Sequence, residues 1–159
     1  MDYILSIRKK IGHDPLLSIG LTCLIVNEKD EVLLEKRTDN GKYCLPGGSI
    51  ELHETALEGV KREVYEETGI TLKNPKLMLI SSGEKQVFYY PNGDVTYYLD
   101  LIFYEVVNSS EIKVQPHDDE STDIRFYPLD NLPDEKDFLR GTKKPIEKYK
   151  RKDFEVELD

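Results

Sequence analysis

The stretch GSIELHETALEGVKREVYEETGI, from Gly48 to Ile70, constrains this chain more than any other. It holds six glutamates, and three of them, Glu63, Glu66 and Glu67, fall within five residues. The pattern predicts a helix over Thr55–Thr68 with Gly69 as its C-cap. At about 100° per residue the three glutamates project into one sector of that helix. Glu63 with Glu67 and Glu63 with Glu66 are i, i+4 and i, i+3 pairs, each destabilising by roughly 0.2–0.5 kcal/mol. They also lie in the C-terminal half, where the macrodipole disfavours anions. The same wheel places Ala56, Leu57, Val60 and Val64 on one apolar arc. Glu67 lies inside the edge of that arc, which favours the neutral acid unless a cation compensates. Gly59, one turn before Glu63, costs about 1 kcal/mol against Ala but lets another backbone or a ligand approach closely.

Two readings fit this arrangement. One is a solvated acidic face with i, i+4 ion pairs supported by Lys61 and Arg62. The other is a divalent-cation site, because hard cations take carboxylate oxygens together with substrate phosphate oxygens. In that case Arg62 pairs with Glu66 or Glu58 and holds a ligand carboxylate in position. Pro46-Gly47-Gly48, read as a tight turn whose carbonyls can face a ligand, favours the second.

Around this segment the chain alternates. A short helix is predicted over residues 2–12, ended near Gly12 with Pro15 beyond. Ser18–Val26 and Val32–Arg37 read as strands joined by Asn27-Glu28-Lys29-Asp30. Asp39-Asn40-Gly41 marks a loop before a short extended piece, Tyr43–Leu45. Lys76–Glu84 and Gln86–Tyr90 read as strands, Pro91-Asn92-Gly93-Asp94 as a hairpin-type turn, and Val95–Val107 as a long central strand. Asn108–Thr122 is loop-like, with a brief strand expected at Ile112–Val114, and Ile124–Pro128 is a last strand. The charged tail over 131–159 is expected to be partly helical. Many strands with one strong central helix imply a mixed α/β or α+β sandwich. The 159 residues fit one domain.

The net charge of −9 argues against tight, nonspecific binding to nucleic-acid backbones. It does not forbid small phosphorylated substrates, since a bound cation inverts the local sign. Cys23 and Cys44 form no Cys-x-x-Cys pattern and read as buried thiols in a reducing compartment. No targeting segment is evident, and the apolar run Leu16–Val26 is too short to span a bilayer. The expected location is cytoplasmic, without a membrane partner.

Gly48, Glu54, Arg62, Glu63, Val64, Glu66, Glu67, Gly69 and Ile70 match the signature Gly-x5-Glu-x7-Arg-Glu-U-x-Glu-Glu-x-Gly-U without a mismatch, U being a bulky aliphatic. The segment resembles the Nudix hydrolase family, and the surrounding strand order extends the resemblance over about residues 18–130. It implies an α/β/α sandwich with a mixed β-sheet between helices. It further implies that Glu63, Glu66 and Glu67, with the Gly48 carbonyl, bind Mg²⁺ or Mn²⁺. Arg62 would orient a glutamate, and Glu54 would support the loop. The implied reaction is hydrolysis of a diphosphate linkage in a nucleoside diphosphate joined to another group. The implied catalytic residues are Glu63, Arg62 and a downstream acid, for which Glu120 matches best. His53 departs from the glycine common at its position; it tolerates positive φ better than most residues.

A nucleotide needs stacking faces and a few hydrogen bonds. Tyr43, just before the signature, is the first candidate, followed by Tyr89 among the aromatics Phe88, Tyr90, Tyr97 and Tyr98, with Arg37 and Arg8 as cations. The same residues are also read as core aromatics and solvated surface. The tail cations Lys143, Lys144, Lys148, Lys150, Arg151 and Lys152 read as a solvated helix, or as an RNA contact. Two alternatives therefore stand beside a small-nucleotide hydrolase: removal of pyrophosphate from RNA 5′ ends, and a catalytically idle domain that senses a nucleotide. A homodimer touching through the N-terminal helix is in keeping with family habit.

Overall fold

The computed structural model describes residues 2–115 and 121–159. Two strands form its spine. β1 (Leu16–Asn27) and β7 (Val95–Val107) run parallel, in register from Leu16 opposite Thr96 to Asn27 opposite Val107. Around them lie β2 (Glu31–Arg37), β3 (Tyr43–Cys44), β4 (Gly47–Ser49), β5 (Lys76–Ser81), β6 (Val87–Tyr89), β8 (Ser121–Pro128) and β9 (Glu157–Leu158). The sheet runs β3-β2-β1-β7-β5-β9, with β4 also on β1, β6 on β7 and β8 on β2. It mixes parallel and antiparallel pairs.

Alternation along β1 divides its apolar side chains between two cores. Leu21, Cys23 and Ile25 face Val60 and Val64 of helix α2 (Ala56–Thr68). Leu24 and Val26 face Ile146 and Tyr149 of helix α3 (Lys143–Lys150). The sheet is thus sandwiched between helices, as the resemblance implies. α2 begins in a capping box: Thr55 accepts from the Glu58 backbone N–H while the Glu58 side chain accepts from Thr55 N–H. It ends at Gly69 with φ 75°. Its buried stripe is Gly59, Val60, Val64 and Thr68, so Leu57, expected on that face, is exposed.

Helix α1 (Tyr3–Ile11) buries none of its side chains. It is strapped across the first halves of β1 and β7 instead. The Tyr3 N–H donates to Glu51, and Arg8 donates to the Val95 carbonyl and the Thr96 hydroxyl. On the opposite sheet face the rows Leu17–Tyr97 and Ile19–Leu99 are exposed, Leu17 at 76%.

Several local expectations are corrected by tertiary pairing. Pro46-Gly47-Gly48 is not a tight turn: Gly47–Ser49 is strand β4, paired with Thr22, Leu21 and Gly20. Residues 83–86 form a 3-10 turn rather than strand, and Ile112–Val114 is no strand although Ile112 and Val114 pack on the core. The tail cations divide: Lys143, Lys150, Arg151 and Lys152 are exposed, as a solvated helix requires, but Lys144 and Lys148 are not free surface. Lys148 is 1% exposed and pairs with Asp153 at 2.7 Å and Glu157 at 3.6 Å, while Lys144 meets Glu157 and Asp159. These acids arrive because β9 adds to the edge of β5. Among the described residues no helix is long and apolar enough to cross a membrane.

Lys148 is therefore expected to be a stability residue. Lys148→Ala empties the space of a buried stem, for an expected loss of ~2–4 kcal/mol in urea unfolding. Lys148→Met, which keeps the packing, is expected to lose ~1 kcal/mol or less. Equal stability of Lys148→Ala and wild type would show that the buried stem contributes nothing.

Candidate active site

α3 covers the second half of the β1–β7 pair and leaves the first half open. There a cleft of about 860 Å³ forms between α1, β1, β4, β7 and the C-terminal half of α2. Its lining brings Gly47, Gly48, Arg62, Glu63, Glu66 and Glu67 together.

Arg62 organises this end. Its Nε and Nη2 donate to the two oxygens of Glu54 at 2.9 and 2.7 Å, a bidentate pair. Nη1 donates to Glu63 at 2.8 Å and to Glu66 at 3.2 Å, and Nη2 also donates to the Ser49 carbonyl at 3.1 Å. Glu54 in turn accepts from the Glu51 N–H at 2.7 Å, which folds the loop back on the helix. His53 makes that fold possible by taking φ 70°. The guanidinium holds the Glu54 carboxyl below the usual range, and the Arg62 value itself is raised, chiefly by Glu54.

Glu67 accepts from the Gly47 N–H at 2.8 Å, fastening α2 to β4. Glu63 lies flat against Gly48, where an added Cβ would stand 2.4 Å from its carboxylate. Gly59 is required likewise: a Cβ there would meet Leu21 Cδ1 at 2.4 Å and Glu54 Oε1 at 2.7 Å. The Glu63 carboxyl is raised above its ordinary value because burial disfavours its charge; Arg62 only partly offsets this.

Among the described residues no three His, Cys, Asp or Glu side chains already form a cage for an ion, and Arg62 bridges Glu63 and Glu66. The donor set nonetheless suits a hard cation. Three carboxylates share one cleft, Glu63 carries a charge that burial penalises, and the glycine beside it admits close approach.

The remaining expected residues divide. Arg37 lines the cleft, held by Asp39 through Nε and Nη2 at 2.9 and 2.8 Å. Tyr43 and Tyr89 do not: the Tyr43 ring packs on Tyr127 with Lys36 over it, and Tyr89 is 73% exposed. Phe88, Tyr90 and Tyr98 form the aromatic wall, with Phe88 edge-on to Tyr98 and the two tyrosine hydroxyls 3.0 Å apart. Arg8 also lines the cleft, but its guanidinium is engaged by Gly12, Asp14, Val95 and Thr96. Glu120 lies outside the described residues.

Thr22 and Asp100 were not anticipated. Asp100 projects into the cleft from the middle of β7, and the Thr22 hydroxyl donates to both its oxygens at 3.1 and 2.9 Å. An acid in the middle of the apolar and aromatic strand VTYYLDLIFYEVV is the available signal. Burial lifts the Asp100 carboxyl to about 6, against the opposing pull of Thr22.

The folded protein therefore holds a proton that the unfolded chain releases near pH ~4, and this group's contribution to stability falls as pH rises to about 6. Asp100→Asn cannot acquire that charge. Its melting curves are expected to gain on wild type over this window and then keep a constant lead worth ~1–3 kcal/mol. A difference that is flat with pH would contradict the assignment.

A sequence profile of the NUDIX domain matches residues 17–149. A MutT-like protein of Streptomyces ambofaciens is 46% identical over 63 residues, 40% of this chain and 41% of the relative. An ADP-ribose pyrophosphatase of Methanocaldococcus jannaschii is 34% identical over 112 residues, 69% of this chain and 61% of the relative. The chain thus spans less than two thirds of either relative's length. Among solved structures, the NUDIX domain of Shewanella oneidensis NrtR complexed with ADP ribose superposes with a TM-score of 0.70 at 16% identity, covering 96% of this chain and 99% of that one. At that identity the likeness speaks for the fold alone.

Proposed function

The chain belongs to the Nudix family, and from that premise we propose that it is a divalent-metal-dependent hydrolase of a nucleoside diphosphate joined to a further group. The observation that carries this reading is the convergence of Glu63, Glu66 and Glu67 with Gly47 and Gly48 on one cleft, all tied to Arg62 or to β4. Glu63, Glu66, Glu67 and the Gly48 carbonyl would hold Mg²⁺ or Mn²⁺. When bound, the ion neutralises charge on the diphosphate oxygens and lowers the pKa of water.

The protein's own groups do the positioning. Arg62 orients Glu63 and Glu66 and is itself fixed by Glu54. The Gly47 N–H fixes Glu67. α1 lines the cleft through Ile4, Leu5 and Arg8. Phe88, Tyr90 and Tyr98 offer faces for a base, and Arg37 a cation for phosphate. We assign the proton acceptor to Glu120 from the sequence. ADP-ribose is a reasonable first substrate, since one relative is an ADP-ribose pyrophosphatase. RNA 5′ ends fit less well, because Asp153, Glu157 and Asp159 pair with Lys144 and Lys148 of the tail. An idle sensor fits less well because every signature glutamate is present. A cytoplasmic setting agrees with two free, buried thiols. A homodimer touching through α1 is part of the same reading, since α1 buries none of its side chains.

The test is phosphate or pyrophosphate release with Mg²⁺ across ADP-ribose, nucleotide sugars, nucleoside triphosphates, dinucleoside polyphosphates and triphosphate-capped RNA. Wild type is expected to turn over one class, and Glu67→Gln to lose roughly a hundredfold or more in kcat. Glu67→Gln as fast as wild type would remove Glu67 from the site. Nucleotide binding without turnover would favour the sensor.

A further inference from the structure

The cleft has an order across the sheet. At one side, β4 carries Gly47 and Gly48 against Glu67 and Glu63. β1 follows with Thr22 and Gly20, then β7 with Asp100 and Tyr98. Phe88, paired through β6 to Thr96, and Tyr90 close the far side. Neighbouring strands lie ~4.8 Å apart, which puts Asp100 roughly 10 Å from the β4 backbone. A nucleoside diphosphate has the same sequence of parts: phosphates, pentose, base. With phosphates at the glutamates and a base on the aromatic wall, the pentose falls at Asp100.

The surroundings of Asp100 suit that placement. Thr22 holds both oxygens from one side. Gly20 lets the carboxylate and the Tyr98 ring pack over its backbone, since a Cβ there would stand 2.8 Å from Asp100 Oδ1 and 3.3 Å from Tyr98 Cδ1. An ionised carboxylate is an acceptor only, with lone pairs for several donors. It repels phosphate and matches a pair of neighbouring hydroxyls, as acidic residues do at the ribose in dinucleotide-binding folds.

We propose that Asp100 is a specificity-determining residue that accepts hydrogen bonds from the vicinal 2′- and 3′-hydroxyls of a ribose, so that the cleft selects ribonucleotides over 2′-deoxyribonucleotides. This rests on the nucleotide reading of the cleft. Thr22 positions the carboxylate, and the bare Gly20 backbone lets it lie between Thr22 and Tyr98. Burial, which raises the Asp100 carboxyl to about 6, makes the preference weaken as pH falls through that value.

The test compares calorimetric dissociation constants for ADP, GDP, CDP and UDP with those of their 2′-deoxy counterparts, so that base and phosphates are held fixed within each pair. Wild type is expected to prefer the ribose form by about tenfold or more. Asp100→Ala is expected to bring the ratio close to one by weakening the ribose form, which loses two hydrogen bonds, more than the 2′-deoxy form, which loses only that of its 3′-hydroxyl, and Asp100→Asn, with one acceptor left, to fall between. Equal binding of both forms by wild type overturns the proposal without needing any variant to fold. So does a parallel loss of both forms in Asp100→Ala, which would assign Asp100 to the base. Absence of binding by every probe, with no turnover of any nucleotide, overturns the nucleotide reading itself.

Discussion

Everything at the acidic end of the cleft depends on one guanidinium. Arg62 binds Glu54 through two hydrogen bonds and reaches Glu63, Glu66 and the Ser49 carbonyl as well. It answers the problem that the sequence poses: glutamates at i, i+3 and i, i+4 spacing repel and oppose the helix dipole. A planar fork of five N–H donors can serve several carboxylates at once, where an ammonium could not. The network also joins three pieces of chain. Glu54 belongs to the loop, Arg62 and Glu63 to α2, and Ser49 to β4, so the loop, helix and strand move as one unit. Glu67 adds a fourth tie through Gly47.

That unit is placed by the β1–β7 pair. Twelve residues in parallel register give a stiff platform whose two halves have different fates. In the second half α2 covers Leu21, Cys23 and Ile25 on one face and α3 covers Leu24 and Val26 on the other. In the first half one face opens into the cleft, and there the sequence changes to Gly20, Thr22, Thr96, Tyr98 and Asp100. One strand thus serves as core and as site, and α1, tied by Glu51 and Arg8, lines the part that α3 leaves bare.

The site's charged half was legible because its signals are local. Fixed spacing along α2, the Thr55 cap, the Gly69 C-cap and the strained turn at His53 are all written in neighbouring residues. The long strand Val95–Val107 was legible for the same reason. What sequence reading missed depends on partners remote in the chain. Gly47–Gly48 reads as a turn until β1 pairs with it. Lys148 reads as surface until the last residues fold back onto β5. Tyr43 sits next to the signature in sequence, yet its ring turns to Tyr127 on β8's side of the sheet. Asp100 becomes meaningful only once Thr22, more than seventy residues earlier, donates to it.

The measurement that goes most directly to the metal site is uptake of Mn²⁺, followed by the electron paramagnetic resonance of the free ion. Wild type is compared with the variant carrying Glu63→Gln, Glu66→Gln and Glu67→Gln, its fold checked by circular dichroism. The expected result is saturable uptake by wild type that disappears in the folded variant. Uptake with the same stoichiometry and affinity in both would mean that the glutamates of α2 hold no ion, and the convergence of carboxylates around Arg62 would have to be explained as structure alone.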